Sequence, residues 1–333
     1  MKQYLILIRP YGMIFLGLTP VFAAIANSQF NLFHLTVLFV IGLLIHIFGF
    51  CLNDYYDVDV DKKSKYVSKR PLVTGEISQK AVSILIVLSL SIALIFAVVF
   101  LFTFNSFVIL LSSIFFMYLY NRFSKRFFGM EYILFIGIFL FGLFGALTVS
   151  DSVSFLALLI TLAHAIQWLF SVGISANLKD VEFDTKMGIR TTPTIFGVKV
   201  EKNKLKIPLL FYFYGFFIKF VHIAVLSIAF FAGYDLMFAY DLPIPVFAFT
   251  IVALIVIYLT YEILSMYEFN RDKMLIYMGF QEGFSFTLIP VALASLFAEK
   301  TLMVPLLLLI SILVIWPLSW FRILFGKRMI PLE

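Results

Sequence analysis

Long apolar stretches separated by short polar loops recur along almost the whole chain. A stretch of about 20 residues crosses a bilayer as a helix, at a rise of about 1.5 Å per residue. The pattern predicts ten membrane spans, at residues 11–28, 32–56, 80–103, 106–121, 131–149, 153–178, 207–231, 244–266, 276–297 and 302–324. The length of the first span favours a retained helix over a cleaved signal peptide.

Composition supports a membrane protein. Hydrophobic residues make up 62% of the 333 residues and charged residues 13%, whereas soluble domains carry roughly 25% charged residues. We therefore expect an all-α, polytopic transmembrane helical bundle that forms a single domain over residues 1–333. The two longest polar loops, 57–79 and 179–206, follow the second and sixth spans. This spacing of four helices suggests two related halves, about 1–125 and 126–333.

Lysine and arginine accumulate in every second loop. The intervening short loops, near residues 29, 104, 151, 238 and 299, hold only Lys300. Because basic residues are retained on the cytoplasmic side, we expect both termini and the large loops to be cytoplasmic, in a protein of the cell membrane. Topology and contact with anionic membrane lipids explain the net charge of +6. No basic-aromatic patch indicates a nucleic-acid partner.

Two acidic clusters follow apolar spans, one in the segment NDYYDVDVD at 53–61 and one in NLKDVEFDTKMG at 177–188. At about 100° per residue, Asp54, Asp57 and Asp61 share an arc of about 60° of a helix, and Asp59 points nearly the opposite way. Asp180 and Asp184 lie one turn apart on one face, and Glu182 faces away. We expect five Asp and Asn53 to converge from two helices, and Asp59 and Glu182 to be surface residues.

Carboxylates stacked on one face repel each other, and near hydrocarbon each costs several kcal/mol unless compensated. A bound cation is the simplest compensation. Oxygen ligands without Cys or His favour Mg²⁺ or Ca²⁺ over zinc, and few protein ligands per ion, completed by water and phosphate oxygens, is typical of Mg²⁺. The predicted ligands are Asn53, Asp54, Asp57, Asp61, Asp180 and Asp184. The alternative is that these acids only cap solvated helix ends.

Basic and polar residues follow the same helices, where a diphosphate would need them. The candidate substrate-binding residues are Asn53, Lys69, Arg70, Tyr120, Asn121, Lys125 and Arg126. Each basic residue is equally explained as a charge of a cytoplasmic loop. Lys219 and Glu282 lie inside spans, where ionisable residues are usually functional. The alternatives are that they pair with each other or that Lys219 reaches the interface. We expect neither to lie in the active site.

These motifs resemble those of the UbiA superfamily of intramembrane prenyltransferases. The family motif NDxxDxxxD matches Asn53, Asp54, Asp57 and Asp61, and DxxxD matches Asp180 and Asp184, followed by Gly188 and RTTP. The segment KRPLVTGEIS at 69–78 and the Arg9-Pro10 start are also similar. The resemblance covers about residues 5–200.

The resemblance implies a bundle of helices around a central cavity. It also implies two Mg²⁺ ions that bridge the catalytic aspartates to an isoprenyl diphosphate, and transfer of the prenyl group to a lipophilic acceptor with release of diphosphate. Family members have nine helices, so we expect nine to ten here. The chain departs from many relatives at Phe183, where they carry Gly before the last Asp of the second motif.

Two questions stay open at this point. The acceptor is either an aromatic quinone precursor or a glycerol-phosphate ether lipid, as in the archaeal branch similar to digeranylgeranylglyceryl phosphate synthase. The acids also allow a cation transporter with an ion site at a repeat interface. A transporter would place them near the bilayer midplane, whereas they lie at helix ends beside basic loops.

Overall fold

The computed structural model describes residues 2–232 and 244–326. The helices are α1 (Lys2–Ile8), α2 (Pro10–Gly17), α3 (Thr19–Ala26), α4 (Leu32–Asp61), α5 (Pro71–Thr74), α6 (Gln79–Phe100), α7 (Phe104–Phe123), α8 (Met130–Leu147), α9 (Phe155–Leu169), α10 (Asn177–Met187), α11 (Thr192–Ile195), α12 (Leu209–Ala232), α13 (Ile244–Leu264), α14 (Arg271–Ala292), α15 (Ala294–Glu299) and α16 (Met303–Phe325). A π-helical turn, Phe170–Ala176, joins α9 to α10, and an antiparallel hairpin of β1 (Lys199–Glu201) and β2 (Lys204–Lys206) precedes α12. The protein is an all-α polytopic bundle, as predicted.

The first membrane segment begins at Lys2, earlier than the predicted residue 11, and consists of three short helices. It breaks at Arg9, whose backbone is left-handed with φ 49° and ψ 62°, and again at Leu18. Pro10 is the first residue of α2 and Pro20 the second residue of α3, within the first turn, where the missing N–H of proline is tolerated. The first break carries the Arg9 side chain to the end of the bundle where the acids lie.

Small residues let this broken segment pack at the centre of the bundle. A Cβ on Gly145 of α8 would lie 2.1 Å from the carbonyl oxygen of Pro20, and a Cβ on Gly42 of α4 would lie 2.6 Å from the Cα of Gly17. Backbones therefore touch directly at both places, as is common where membrane helices associate. The core lies between α2, α3, α4, α8 and α9, with Phe22, Phe141 and Phe144 fully buried.

Nine helical segments within residues 2–232 and 244–326 are long and apolar enough to cross a membrane. The sequence predicts ten spans, and the predicted span at 276–297 is the one that is absent from these nine. That segment corresponds to α14, whose 22 residues span about 33 Å, but whose polar residues, including Gln281 and Glu282, lower its hydropathy. The proposed division into two related halves stays a prediction.

Candidate active site

A cavity of about 660 Å³ opens within the bundle. Residues of α2, α4, α7, α8, α9, α10, α14 and α16 line it. One end, which we call the acidic end, is lined by Asn53, Asp57, Asp61, Lys125 and Asp180, whereas apolar and aromatic side chains line most of the remaining wall. The cavity therefore suits a molecule with one highly charged end and one apolar end.

The acids of α4 face the interior as their spacing predicts. Asp54, Asp57 and Asp61 are buried, whereas the side chain of Asp59 is 87% exposed and pairs with Lys62 at 3.3 Å. The amide of Asn53 donates a hydrogen bond to Asp57 at 3.3 Å. The prediction of a shared face for the three acids, with Asp59 opposite, is confirmed.

Arginines pair with two of these acids. Arg9 Nη2 lies 2.6 Å from Asp54 Oδ1, and its guanidinium lies over the ring of Phe50. Arg70 Nη1 contacts Asp54 at 3.3 Å and Asp61 Oδ2 at 2.7 Å. Arg70 was among the predicted substrate-binding residues. Arg9 was not, although the Arg9-Pro10 pair was noted in the sequence.

The acids of α10 lie in two different environments. Asp180 lines the cavity and pairs with Lys179 at 2.7 Å and Arg271 at 3.1 Å. Asp184 is fully buried, neither of its carboxylate oxygens accepts a hydrogen bond, and Lys125 Nζ lies 3.8 Å away. Burial disfavours the charged form of Lys125, but the carboxylates of Asp184 and Asp57 outweigh this effect and raise its pKa. Lys125 is therefore a cation beside Asp184.

The acidic end holds as many bases as acids. Its five aspartates lie among Arg9, Arg70, Lys125, Lys179 and Arg271. Basic side chains therefore compensate the acids, and the sequence argument that a bound cation is the simplest compensation is incomplete. This balance also means that a metal ion would have to bind together with an anion to keep the site close to neutral.

The residues present fit a hard cation such as Mg²⁺. The donors are carboxylate and amide oxygens, and Asp184 is a buried carboxylate with no hydrogen-bond donor, a group that a metal ion would satisfy. In the described part of the chain, no three His, Cys, Asp or Glu side chains come together closely enough to enclose an ion by themselves. Water and substrate oxygens would therefore have to supply further ligands, which is the usual manner of Mg²⁺.

Glu182 is not the solvated surface residue that the sequence predicts. It accepts a hydrogen bond from the hydroxyl of Tyr66 and pairs with Lys65 at 3.1 Å and Lys186 at 2.7 Å. Burial and this hydrogen bond raise the pKa of Tyr66, whose ring also carries the guanidinium of Arg271. Through these contacts Glu182 connects α10 to the loop after α4, which folds back over the acidic end.

The remaining predicted substrate-binding residues divide into two groups. Tyr120, Asn121 and Lys125 line the cavity, and the amide of Asn121 donates to the carbonyl of Met117 at 2.9 Å. Lys69 and Arg126 are exposed and lie outside the cavity wall. The structure therefore does not bring these two together with the acids.

Glu282 and Lys219 differ from the expectation of a mutual pair. Lys219 is 1% exposed and donates hydrogen bonds to Gln167 and Ser285, with its ammonium over the ring of Phe170. Glu282 lines the cavity, whereas the sequence predicted a position away from the active site. In the described residues the two form no ion pair within 4 Å, so Lys219 neither pairs with Glu282 nor reaches the interface.

Sequence reasoning missed five charged residues of the site. These residues line the cavity or contact its aspartates: Arg9, Glu131, Lys179, Arg190 and Arg271. Lys179, Arg190 and Arg271 were interpreted only as charges of basic loops, and Arg9 also as part of the Arg9-Pro10 start. Glu131 carries a detectable signal, since it is an acid at the start of an apolar helix, where ionisable residues are usually functional.

The UbiA prenyltransferase family profile matches residues 13–278. The chain belongs to this family. It is 32% identical over 207 residues to the 4-hydroxybenzoate octaprenyltransferase of Francisella tularensis subsp. tularensis (strain SCHU S4). The aligned region covers 60% of this chain and 71% of the relative. Membership confirms the sequence prediction of a prenyltransferase, and the alternative of a cation transporter is not supported.

Solved structures share the fold. A UbiA homolog from Archaeoglobus fulgidus bound to GPP and Mg²⁺ superposes with a TM-score of 0.57 at 22% identity, covering 86% of this chain and 99% of that one. A structure of digeranylgeranylglyceryl phosphate synthase superposes with a TM-score of 0.53 at 17% identity, covering 96% of this chain and 98% of that one. At these identities the likeness concerns the fold alone, and it supports the helical bundle around a cavity.

Proposed function

We propose that this UbiA family member transfers an isoprenyl group from an isoprenyl diphosphate to an aromatic hydroxy acid, in a reaction that depends on Mg²⁺ and releases diphosphate. The observation that carries the proposal is the cavity, with Asp57, Asp61 and Asp180 at one end and an apolar wall beyond. An isoprenyl diphosphate has the same division into a charged head and an apolar tail. The named activity of the Francisella relative supports the aromatic acceptor.

The acidic end would hold the diphosphate. Arg9, Arg70 and Lys125 present guanidinium and ammonium groups there, and such groups form strong charge-assisted hydrogen bonds with phosphate oxygens. The carboxylates of α4 and α10 would hold Mg²⁺, and their division between two helices favours two ions. Bound Mg²⁺ supplies neutralisation of the charge that develops on the leaving diphosphate. The homolog from A. fulgidus that is bound to GPP and Mg²⁺ supports this pairing of metal and donor.

The rest of the cavity would hold the isoprenyl chain and protect the reacting centre. Breaking the allylic C–O bond leaves a carbocation, which aromatic ring faces stabilise. Phe15, Trp168 and Phe286 lie on the wall. The ring of Phe286 stacks on that of Phe15 at 4.5 Å and contacts Trp168 edge to face. An apolar wall also excludes water, which would otherwise capture the cation.

We place the acidic end on the cytoplasmic side of the cell membrane. Basic residues crowd the loops at this end, including Lys62 and Lys65 after α4 and Lys186 at the end of α10. Retention of positive charge in the cytoplasm favours this orientation. The donor and acceptor would therefore enter from the cytoplasm or from the inner leaflet.

The test is a measurement of diphosphate release by the purified protein in detergent with Mg²⁺ and geranylgeranyl diphosphate. A panel of aromatic hydroxy acids and a glycerol-phosphate ether lipid are offered separately as acceptors. We expect release that depends on an aromatic acid, with a prenylated product detected by mass spectrometry. Release that depends only on the ether lipid would overturn the aromatic acceptor but preserve prenyl transfer.

Matched aspartate variants test the site itself. Asp57→Ala and Asp180→Ala should abolish Mg²⁺-dependent release while the protein remains folded, because each removes a proposed metal ligand with little packing. Asp59→Ala is the control, since its side chain is exposed on the opposite face of α4. Turnover near that of the wild type in either of the first two variants would contradict the assignment.

A further inference from the structure

Glu131 is a cavity-lining acid outside both aspartate motifs. It lies in the first turn of α8, its residue is 5% exposed, and it lines the cavity together with Tyr120 and Leu134. It forms no ion pair within 4 Å in the described parts of the chain, unlike four of the five aspartates. A carboxylate near hydrocarbon without a cation partner is costly, and such residues are usually functional.

Two neighbours hold this carboxylate in place. The hydroxyl of Thr192, which is 1% exposed at the start of α11, donates a hydrogen bond to Glu131 Oε1. On the other side, a Cβ on Gly173 would lie 3.2 Å from Glu131 Cγ, so the glutamate packs directly against the backbone there. Gly173 belongs to the π-helical turn, a feature that occurs often at functional sites. The side chain is therefore fixed by contacts from two separate elements.

Glu131 lies near the acidic end of the cavity, but within the described residues it forms no ion pair with the bases there. Tyr120, on the neighbouring helix α7, lines the same cavity as Asp57 and Glu131. Four of the five aspartates form ion pairs with bases, Asp57 accepts a hydrogen bond from Asn53, and all five are proposed metal ligands. Two cavity-lining carboxylates, Glu131 and Glu282, are not proposed metal ligands and form no ion pair within the described residues. Glu131 is the one on α8, which packs against α7, the helix that carries Tyr120.

We infer that Glu131 accepts the proton that the acceptor loses on prenylation. The inference rests on the proposed function. In the reaction, the C–O bond of the donor breaks and its electron pair leaves with the diphosphate. An electron pair of the acceptor, from a ring carbon or a hydroxyl oxygen, forms the new bond to the allylic carbon. The hydrogen on that same carbon or oxygen leaves as a proton to the Glu131 carboxylate.

This assignment predicts a split between the two halves of the reaction. Ionisation of the donor depends on the acidic end, whereas loss of the proton depends on Glu131. Removing the base should therefore spare ionisation and divert the cation to water, which yields the prenyl alcohol. The ratio of prenyl alcohol to prenylated acceptor reports this split, and a purely structural role would not change that ratio.

The experiment compares Glu131→Gln with the wild type. Glutamine keeps the size of the side chain and an oxygen that accepts the Thr192 hydrogen bond, but it cannot take a proton at neutral pH. We expect formation of the prenylated acceptor to fall by about 100-fold or more, while Mg²⁺-dependent release of diphosphate persists as prenyl alcohol accumulates. Glu131→Asp, which keeps a carboxylate, should restore part of the transfer. Glu262→Gln is the matched control, because Glu262 lies in α13 outside the cavity wall.

The outcomes separate this inference from the proposed function. Unchanged transfer by Glu131→Gln, or equal loss of transfer and of diphosphate release in both Glu131 variants, would overturn the role of Glu131 while leaving prenyl transfer by the wild type established. A wild-type protein that releases no diphosphate with any acceptor would overturn the proposed function, and with it the role of Glu131.

Discussion

Replacing Asp184 with asparagine separates a structural acid from a metal ligand. The substitution keeps the shape of the side chain and removes its charge. Asp184 is fully buried, its oxygens accept no hydrogen bond, and its closest cation is Lys125. If Asp184 is retained for stability, its replacement should destabilise the metal-free protein. If it is a metal ligand, its replacement should have an effect only when metal and diphosphate are present.

The stability effect of Asp184→Asn without metal is expected to be small. At the 3.8 Å separation from Lys125 Nζ, the attraction amounts to about 4 kcal/mol at an effective dielectric constant of about 20. Burying the carboxylate costs several kcal/mol, and no hydrogen bond offsets this cost. The two contributions nearly cancel, and Lys125 keeps the carboxylate of Asp57 nearby. We therefore expect a change in the free energy of unfolding within about 1 kcal/mol.

The assay is thermal unfolding in detergent, with and without Mg²⁺ and inorganic diphosphate. Ligands at 100 times their Kd stabilise a protein by about 2.7 kcal/mol, so the wild type should unfold at a higher temperature when both are added. Asp184→Asn should lose this increase and lose turnover by about 100-fold or more, whereas Asp59→Asn should keep both. An undiminished increase in Asp184→Asn, or a large loss of stability without ligands, would refute the reasoning.

Three further substitutions test other parts of the structure. Gly145→Ala should destabilise the protein by about 1–3 kcal/mol in thermal unfolding, because its Cβ would lie 2.1 Å from the carbonyl oxygen of Pro20. The control is Gly283→Ala, since Gly283 has open space around it. Equal stability of the two variants would contradict the close packing at Gly145. Gly283→Phe should narrow the cavity and reduce turnover with geranylgeranyl diphosphate more than with geranyl diphosphate; equal loss with both donors would argue against a wall position along the chain. Lys219→Met should change the unfolding free energy by no more than about 1 kcal/mol, because the buried ammonium bonds only neutral groups; a loss above about 3 kcal/mol would show that the charge is required for folding.

The facing of the acids on α4 was predictable because it depends on one helix alone. Helical periodicity relates Asp54, Asp57 and Asp61 without knowledge of any other element, and the exposed Asp59 fits the same rule. The oxygen-only donor set was also predictable from residue types. These local features are the part of the site that the motifs encode.

The partners of the acids were not predictable in the same way. Arg9 is 45 residues from Asp54 in sequence, and Arg271 is 91 residues from Asp180. Each pair is formed by tertiary packing, and a basic residue in a loop shows no pattern that distinguishes a site residue from a topological charge. Glu182 was mispredicted for a related reason, since its facing on α10 was correct but the loop that carries Tyr66 folds over it.

The disagreement over the number of spans has a physical cause that concerns function. Helices that face lipid have a high hydropathy. In contrast, α14 presents Gly279, Glu282 and Gly283 to the cavity, and its Ser285 accepts a hydrogen bond from the ammonium of Lys219. A Cβ at either glycine would meet nothing within 4 Å, so their small size widens the cavity. The polar and small residues that lower the hydropathy of α14 below that of a typical span are therefore the ones that shape the cavity. A helix of crossing length with weak hydropathy is, in this fold, a signal for a cavity wall and not an argument against a membrane helix.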